Sequence, residues 1–452
     1  MTRRVAAEER GRSRIVSGAV TGFAIVAVVV TAVVTGAIAL FVAATVSAVP
    51  ALFLTCGFLA SLAVLYGGIA LVARWRWPPG RRRAARRIVF GAVGGALAVM
   101  FALTVIVPGG EPETSPSSPT VPGAELLRLP SGTTLEVLRL PARGAGGDKA
   151  RTGAGRPPVI VLHGGPGVPD LAANARVFAP LAERGRDVYL YAQLGTGRST
   201  RLTDVHDYSR DRDAADLEAL RRRLGLDRVV LVGHSYGGAL AAHYLALHPD
   251  RVDRLVLLSP GALDPEDRSG DLVSDRLDTG TRLRLYARLL TPRALIGYGL
   301  LQVDPEAAHA FLPDAEADAR NDEVVNLIRP ALHCPGARLG PAVRGTGFYA
   351  MQYPQSATAS PPSDPRPRLA GLRAPALIVK GSCDYLSWRS AVEYRRLLPD
   401  SRLLYYERAG HNVHQDRPSD VVAAVSAFLD GRWPGGPVHE GVSPPAGYRG
   451  PP

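Results

Sequence analysis

The sequence lacks the usual marks of a metalloprotein or a nucleotide-binding protein. Its 10 histidines and 3 cysteines are dispersed over 452 residues without the Cys/His spacing of a zinc site. No dinucleotide fingerprint follows the first buried strand predicted beyond residue 124. The glycine turn at residues 195–199 lacks the Gly-Lys-Ser/Thr of a phosphate-binding loop. We therefore expect chemistry that needs no metal and no cofactor.

Charged residues are absent from residues 15–73. A helix rises ~1.5 Å per residue, so this stretch is too long for one crossing of a ~30 Å hydrocarbon core but fits two. A further apolar run precedes residue 108. We predict three transmembrane helices, at about residues 15–45, 49–73 and 88–107. A cleaved signal peptide is the competing interpretation, but the apolar region is too long for one and comes in three pieces.

Acidic residues are scarce in the same region. Residues 1–87 contain twelve arginines but only Glu8 and Glu9, so they supply +10 of the formal net charge of +12. The high pI therefore gives no support to nucleic-acid binding. The arginines lie before the first span and between the second and third, which places both clusters in the cytoplasm by the positive-inside rule. With three spans, we expect a multi-pass protein of the cell membrane whose chain beyond residue 107 is extracytoplasmic.

Two of the cysteines, Cys334 and Cys383, fall in this outer region. An oxidising compartment would let a disulfide persist, but the sequence does not show whether the two come within bonding distance. Two buried free thiols are the alternative. Stretches rich in proline, glycine and serine predict a flexible linker at 108–123, a loop at 143–158 and a disordered tail at 433–452.

Residues 124–432 alternate strand-like and helix-like segments. Residues 125–139 indicate a hairpin, and residues 159–162 and 188–192 are short apolar runs typical of buried parallel strands. This alternation predicts an α/β fold with a doubly wound, mostly parallel sheet. Residues 262–368 interrupt this alternation with helix-like, partly charged segments. We interpret them as a helical cap over the cleft; ordinary surface helices with no role in substrate selection are the alternative.

The most informative motif is Gly233-His234-Ser235-Tyr236-Gly237. It follows an apolar strand-like run and precedes a helix-like run, which is the setting of a nucleophile elbow. Glycines at positions 233 and 237 let the backbone fold back close to itself, and the serine at the apex then faces a cleft. A glycine-rich loop with a chance serine is the alternative.

A serine hydroxyl needs a base to take its proton, and the base needs an acid to orient it. In a fold with this elbow the chain order is Ser, then Asp or Glu, then His. Asp384 follows a predicted strand at 376–380, and His411 follows one at 402–406, so both stand where an open α/β sheet forms its cleft. We predict that these two residues complete a catalytic triad with Ser235. Weaker candidates are His234, His414, Asp416 and Asp400.

Residues 163–167, His-Gly-Gly-Pro-Gly, directly follow a predicted buried strand. Glycines expose backbone N–H groups, and one of them can point at a developing oxyanion. We therefore predict an oxyanion hole from Gly164 or Gly165 together with the N–H of Tyr236, the residue after the nucleophile. A plain strand-to-helix turn is the alternative.

Together these motifs resemble the proline iminopeptidase group of α/β-hydrolases, peptidase family S33, over about residues 124–430. The resemblance implies an α/β-hydrolase fold with a helical cap, a Ser-Asp-His triad, and release of an N-terminal residue, often proline, from short peptides. By motif match it gives the triad roles to Ser235, Asp384 and His411, and the oxyanion roles to Gly165 and Tyr236. The matching segments are residues 163–167, 193–199, 233–238, 384 and 409–411.

The chain departs from that family in places. The family's Asp-Gln-Arg-Gly-x-Gly-x-Ser is Ala-Gln-Leu-Gly-Thr-Gly-Arg-Ser at residues 192–199, and the usual Trp after the nucleophile is Tyr236. The family's cap carries acids that hold the substrate amine, for which the candidates here are Glu306, Glu316, Asp318 and Glu323. We predict a membrane-anchored, extracytoplasmic serine hydrolase, aminopeptidase-like, acting on a short peptide or small molecule. An esterase or lipase-like hydrolase and an inactive membrane-bound binding protein stay open as alternatives.

Overall fold

The computed structural model has two compact units. It describes residues 2–105, 120–143, 156–267 and 269–452. Residues Met1–Glu111 and Pro292–Pro313 form one unit, called the helical unit below. Residues Pro112–Thr291 and Asp314–Pro452 form the other, called the sheet unit. Most of the predicted linker and of the predicted loop, residues 108–119 and 144–155, lies outside the described residues.

One eight-stranded sheet organises the sheet unit. Its strands are β1 (Ala124–Arg128), β2 (Thr134–Leu140), β3 (Val159–Leu162), β4 (Val188–Tyr191), β5 (Val229–His234), β6 (Val252–Leu258), β7 (Ala376–Cys383) and β8 (Ser401–Gly410). Their order across the sheet is β1-β2-β4-β3-β5-β6-β7-β8. The hairpin β1–β2 and the pair β2–β4 are antiparallel, and the remaining pairs are parallel. This confirms the predicted α/β fold with a mostly parallel sheet.

Fifteen α-helices occur among the described residues. Those of the helical unit are α1 (Thr2–Ala44), α2 (Pro50–Arg76), α3 (Pro79–Val105), α8 (Pro292–Leu301) and α9 (Pro305–Phe311). Those of the sheet unit are α4 (Leu171–Glu183), α5 (Arg210–Arg223), α6 (Tyr236–Leu247), α7 (Thr279–Leu289), α10 (Asp314–Ile328), α11 (Phe348–Gln352), α12 (Arg366–Leu369), α13 (Trp388–Leu397), α14 (Val413–Asp416) and α15 (Pro418–Leu429).

Helices cover both faces of the sheet, which explains why the central strand β3 is apolar at every position. In β3, Ile160 and Leu162 belong to a core that includes residues of α5, α6 and α13. Val159 and Val161 face the opposite way, into a core that includes residues of α4 and α15. Burying such a side chain contributes about 1.5–3 kcal/mol. The two cores therefore fix β3, β5, β7 and β8, whose carboxyl ends carry the predicted site residues.

Two helices of the helical unit are long and apolar enough to cross a membrane. They are residues Val16–Ala44, within α1, and Pro50–Arg76, which is α2. Val49 precedes the proline that begins α2, so the break between the helices falls where the predicted spans 15–45 and 49–73 meet. The third predicted span, 88–107, lies mostly within α3, and its last two residues are outside the described part of the chain. That span stays a prediction.

The segment predicted as one cap, residues 262–368, is divided between the two units. Helices α7 and α10–α12 belong to the sheet unit, but α8 and α9 belong to the helical unit. There Phe311 of α9 packs edge-on against Phe53 of α2, with ring centroids 6.3 Å apart. Gly299 of α8 lies against Phe41 of α1, where an added Cβ would come within 2.5 Å of the ring. Helices α8 and α9 thus pack against the N-terminal helices. That residues 262–368 form a cap over the cleft stays a prediction.

The segment predicted as a disordered tail makes defined contacts in the structure. Residues 433–452 have no helix, as their proline and glycine content implies, but they pack against the sheet unit. His439 N donates to Leu403 O of β8 at 2.8 Å. The ring of Trp388 contacts the rings of His439 and Tyr448, with centroids 5.0 and 5.2 Å away. Aromatic and main-chain contacts, which composition does not reveal, hold this segment in place.

Candidate active site

Ser235 is the single residue between β5 and α6. Its backbone φ is 53°, a left-handed conformation. Such a conformation costs a non-glycine residue on the order of 1–3 kcal/mol and persists only where neighbours enforce it. Here Ser235 N donates to Leu258 O at 3.0 Å, and Ser235 O accepts from the N–H groups of Gly238 and Gly261, both at 2.9 Å. The turn thus holds the serine in a conformation that it would not adopt by itself.

The glycines on either side of Ser235 are required by space. An added Cβ at Gly233 would collide with the carbonyl group of Gly237. An added Cβ at Gly237 would collide with the carbonyl group of Leu162, at the end of β3. The close approach that the motif implies is therefore present on both sides of the turn, as in a nucleophile elbow.

Asp384 and His411 meet at the carboxyl ends of two adjacent strands. Asp384 directly follows β7, and His411 directly follows β8. His411 Nδ1 donates to Asp384 Oδ1 at 2.8 Å, and both side chains are buried. This leaves Nε2 of His411 as the ring nitrogen that can accept a proton from another group. The ring of His411 lies 4.9 Å from that of His234, the residue next to Ser235, so all three predicted residues occupy one end of the sheet.

A buried lysine, not foreseen from the sequence, lies on the other side of the same carboxylate. Lys380 Nζ donates to Asp384 Oδ2 at 2.9 Å, and both residues are 0 % exposed. Burial alone would raise the pKa of Asp384, but the Lys380 ammonium, followed by His411, holds it well below its usual range. The signal in the sequence is a single charge inside the apolar strand 376–383, which is easily taken for the exposed end of a strand.

The glycine loop after β3 lies against the serine. An added Cβ at Gly164 would lie 3.1 Å from Ser235 Cβ and 2.9 Å from His234 Nδ1. Gly165 has a φ of 117°, and its added Cβ would lie 2.7 Å from the main-chain nitrogen of Gly167. Tyr236 is the first residue of α6, so its N–H has no acceptor within the helix. The two predicted sources of oxyanion donors therefore flank Ser235; their donation to an oxyanion stays a prediction.

His163 fixes the start of this loop. Its Nδ1 donates to Gly164 O at 2.9 Å, and its Nε2 accepts from Gln193 N at 2.9 Å. Burial lowers the pKa of His163 to about 4, although the hydrogen bond to Gly164 opposes the shift. A neutral histidine with both ring nitrogens bonded ties β3 to the turn after β4. We assign it a structural role.

The weaker histidine and aspartate candidates have other environments. His234 Nε2 donates to the main-chain oxygen of His411 at 3.1 Å. His414 Nε2 lies 3.2 Å from Asn174 Oδ1. Burial is the first cause that lowers the pKa of His234 well below its usual range and that of His414 to about 3. Asp400 is exposed at the turn before β8. None of these residues is placed to replace His411 or Asp384 in the pair.

A disulfide and a second Asp–His pair connect the segment at residues 333–334 to the loops of Asp384 and His411. Cys334 and Cys383 form a disulfide, so the pairing that the sequence left open is present. The adjacent His333 Nδ1 donates to Asp416 Oδ1 at 2.6 Å. The other oxygen of Asp416 accepts from Gly410 N at 2.7 Å. Asp416 therefore supports the loop of His411 and does not serve as its acid.

A cavity of about 600 Å³ opens beside the oxyanion loop. Its lining includes Gly165, Pro166 and Tyr236 from the predicted oxyanion region, and Asp211 and Tyr353 from farther along the chain. This volume falls in the range of small-ligand sites, about 300–1,000 Å³. Among the residues that the structure describes, no cluster of three or more His, Cys, Asp or Glu side chains could hold a metal ion.

The acids considered for holding a substrate amine are mostly engaged elsewhere. Three of the four form ion pairs: Glu316 with Arg320 at 2.9 Å, Asp318 with Arg201 at 2.9 Å, and Glu323 with Arg288 at 3.1 Å. The fourth, Glu306, is exposed on α9 in the helical unit. Burial raises the pKa of Asp318 to about 6, with Arg201 opposing. These contacts give none of the four an evident role in binding an amine.

Known proteins resemble this chain over more than half of its length. A family model described as the alpha/beta hydrolase fold matches residues 157–418. A proline iminopeptidase of Lactobacillus helveticus is 39% identical over 282 residues, covering 61% of this chain and 90% of that protein. One of Heyndrickxia coagulans is 26% identical over 290 residues, covering 61% and 91%. The crystal structure of a Mycobacterium smegmatis proline iminopeptidase matches 68% of this chain and 98% of its own, with 20% identity and a TM-score of 0.45.

The family match extends over more than half of the chain. The chain therefore belongs to the alpha/beta hydrolase fold family, and it is a hydrolase.

Proposed function

We propose that this hydrolase uses Ser235 as its nucleophile, His411 as its general base and Asp384 as the acid that orients the base. The hydrogen bond of 2.8 Å between His411 and Asp384 is the observation that carries the proposal. The strained turn at Ser235 adds support, because strain of this kind persists at functional sites. The order of the three residues along the chain is also that of this fold.

The reaction follows from the placement of these groups. Ser235 Oγ attacks the carbonyl carbon of the substrate while Nε2 of His411 takes the hydroxyl proton. The carbonyl oxygen becomes an oxyanion, which the N–H of Tyr236 and an N–H of the glycine loop stabilise. The imidazolium then gives its proton to the leaving amine or alcohol, and an acyl-enzyme on Ser235 results. Water, activated by the same histidine, hydrolyses that ester and restores the serine.

For the substrate, we propose a short peptide with a free N-terminal residue, as for a proline iminopeptidase. The relatives of Heyndrickxia coagulans and Lactobacillus helveticus, which match this chain over 91% and 90% of their own length, are named for that activity. The cavity of about 600 Å³ beside Gly165 and Tyr236 suits a ligand of that size.

We further propose that the protein is anchored in the cell membrane with the hydrolase domain extracytoplasmic. Two apolar helices and the arginine clusters that flank them support anchoring. The disulfide between Cys334 and Cys383 is in keeping with an oxidising compartment. Protease treatment of right-side-out membrane vesicles tests the orientation: we expect cleavage of the sheet unit in intact vesicles. Cleavage only after lysis would place the sheet unit in the cytoplasm and reject the proposed orientation.

A carboxylesterase is the second candidate. The ion pairs of Glu316, Asp318 and Glu323 favour it, because they engage three of the four acids considered for holding a substrate amine. The triad and the oxyanion donors would act on an ester in the same way.

The test uses the full chain in detergent with a proline arylamide and with a short acyl ester. Proline release that disappears in Ser235→Ala is expected for the aminopeptidase. Ester cleavage without arylamide cleavage would reject the peptidase and retain the esterase. A fluorophosphonate probe that fails to label the wild-type protein would indicate an inactive binding protein and reject both.

A further inference from the structure

We propose that Lys380 is a positioning residue for this reaction: its ammonium group keeps the Asp384 carboxylate ionised and turned so that Oδ1 faces His411. The inference rests on the proposed function, because it concerns the acid of that triad. Lys380 acts through Asp384 and does not touch the substrate.

The hydrogen bonds of the carboxylate define its orientation. Oδ2 accepts from Lys380 Nζ at 2.9 Å, while Oδ1 accepts from His411 Nδ1 at 2.8 Å and from Leu386 N at 3.1 Å. Each oxygen therefore has its own donors, and rotating the carboxylate would break at least one charge-assisted bond. Such bonds are roughly twice as strong as those between neutral groups.

The charge of Lys380 matters because neither partner reaches solvent. Lys380 and Asp384 are both 0 % exposed. A buried carboxylate without a partner would take up a proton, and a buried ammonium would lose one. Burial lowers the pKa of Lys380, and Asp384 opposes that shift. With the two atoms 2.9 Å apart, the ion pair is the state we infer.

The C-terminal segment closes the other side of this pair. The ring of Tyr448 lies 5.9 Å from Lys380 Nζ, within cation–π range. Tyr448 Oη donates to Leu386 O at 2.7 Å, in the loop that follows Asp384. Arg449 N donates to Ser382 O at 2.7 Å. The segment therefore packs over the loop of the acid and keeps the ion pair away from water.

Other titratable groups act on the pair from neighbouring elements. His411 follows β8, and His234 ends β5. Tyr385 follows Asp384 along the chain. Arg276, in the segment before α7, repels the ammonium group of Lys380. Burial is the first cause that raises the pKa of Tyr385, and that of Tyr448 is raised in the same way. Both phenols are thus neutral near neutral pH, and Lys380 is the cation bonded to Oδ2.

The experiment measures how fast a fluorophosphonate probe labels Ser235, as a function of pH, in the full chain. In Lys380→Met we expect labelling at pH 7 to fall on the order of 10-fold or more, because the buried Asp384 loses its cation. Its pKa then rises, and a protonated carboxyl no longer offers the negative charge that stabilises the His411 imidazolium. The acidic limb of the curve of labelling rate against pH should shift to higher pH by about one unit. Lys380→Arg should return the curve to its wild-type position.

Two controls separate this role from a loss of stability. Arg221→Met removes the cation from another largely buried ion pair, with Glu218, and should leave the pH profile unchanged. If Lys380→Met does not fold, the double variant Lys380→Met/Asp384→Asn should recover stability, because the unpaired carboxylate is gone. Failure of the double variant to recover would overturn the inference.

The outcomes also separate this inference from the proposed function. A wild-type protein that the probe does not label would overturn both. A wild-type protein that is labelled, with a Lys380→Met variant that keeps the same rate and the same pH profile, would overturn the role of Lys380 alone.

Discussion

Replacing Asp384 with asparagine perturbs the site at the carboxylate where two buried donors converge. His411 Nδ1 donates to Oδ1 at 2.8 Å, and Lys380 Nζ donates to Oδ2 at 2.9 Å. An asparagine has one oxygen and one NH₂ group. One of the two donors would therefore face another donor in a part of the protein that water does not reach.

The substitution has two expected effects: a lower catalytic rate through His411 and a lower free energy of unfolding through Lys380. If the NH₂ group faces His411, the ring is held in the wrong tautomer, a change that costs about 10⁴-fold in serine proteases. We therefore expect kcat/KM of Asp384→Asn to fall by about 10³- to 10⁴-fold, or about 4–5.5 kcal/mol of transition-state stabilisation. The Lys380 ammonium also loses its counter-charge, and removing one member of a buried ion pair lowers the free energy of unfolding by about 3–5 kcal/mol.

Two assays check these values on the same preparations. Steady-state hydrolysis gives kcat/KM, and urea unfolding followed by tryptophan fluorescence gives the stability. Asp400→Asn is the matched control, because Asp400 is exposed, and it should change neither quantity. Turnover of Asp384→Asn within tenfold of the wild-type value would refute Asp384 as the acid. An unchanged unfolding free energy would refute the ion pair with Lys380.

Three further predictions concern other parts of the sheet unit. Burial raises the pKa of Asp318 to about 6, so its contribution to stability should be complete below pH 4 and lost as pH rises through 6. In Asp318→Asn, the free energy of unfolding should vary less with pH between 4 and 6, and an unchanged slope would contradict the raised pKa. Replacing Cys334 and Cys383 with alanine removes a cross-link between residues 49 positions apart and should lower the free energy of unfolding by about 4 kcal/mol relative to the oxidised wild-type protein, as measured by urea unfolding; the reduced wild-type protein is the control that should match the variant. Gly237→Ala should abolish probe labelling or folding, because its Cβ would collide with the end of β3; normal labelling in a folded variant would exclude a tight elbow.

The motifs at strand ends could be predicted because they are local. The glycines around Ser235 are needed by the turn itself, and Asp384 and His411 stand directly after strands whose apolar runs are visible in the sequence. Parallel strands bring their carboxyl ends to one edge, so order along the chain nearly determines which residues meet. The hydrogen bond of 2.8 Å between His411 and Asp384 agrees with that reasoning.

The features that escaped prediction depend on contacts between distant segments. Lys380 and Asp384 are only four residues apart, but the segment that packs beside the pair is distant: the ring of Tyr448 lies 5.9 Å from Lys380 Nζ. The C-terminal segment has the composition of a disordered chain, yet Tyr448 and His439 pack on Trp388. Helices α8 and α9 have apolar faces that would suit either a cleft or a membrane-helix pair. Composition and periodicity show which face of a helix is apolar, but they do not show which segment packs against that face.

The hairpin of α8 and α9 bears on how the protein can be handled in the laboratory. Phe311 packs against Phe53, and Gly299 packs against Phe41. A polypeptide that begins at residue 124 would therefore expose the apolar faces of α8 and α9, which contact the N-terminal helices in the full chain. Such a fragment invites aggregation even with an intact sheet. The full chain can be purified in detergent micelles with the N-terminal helices retained. Alternatively, residues 292–313 can be removed together with those helices, because both belong to the helical unit.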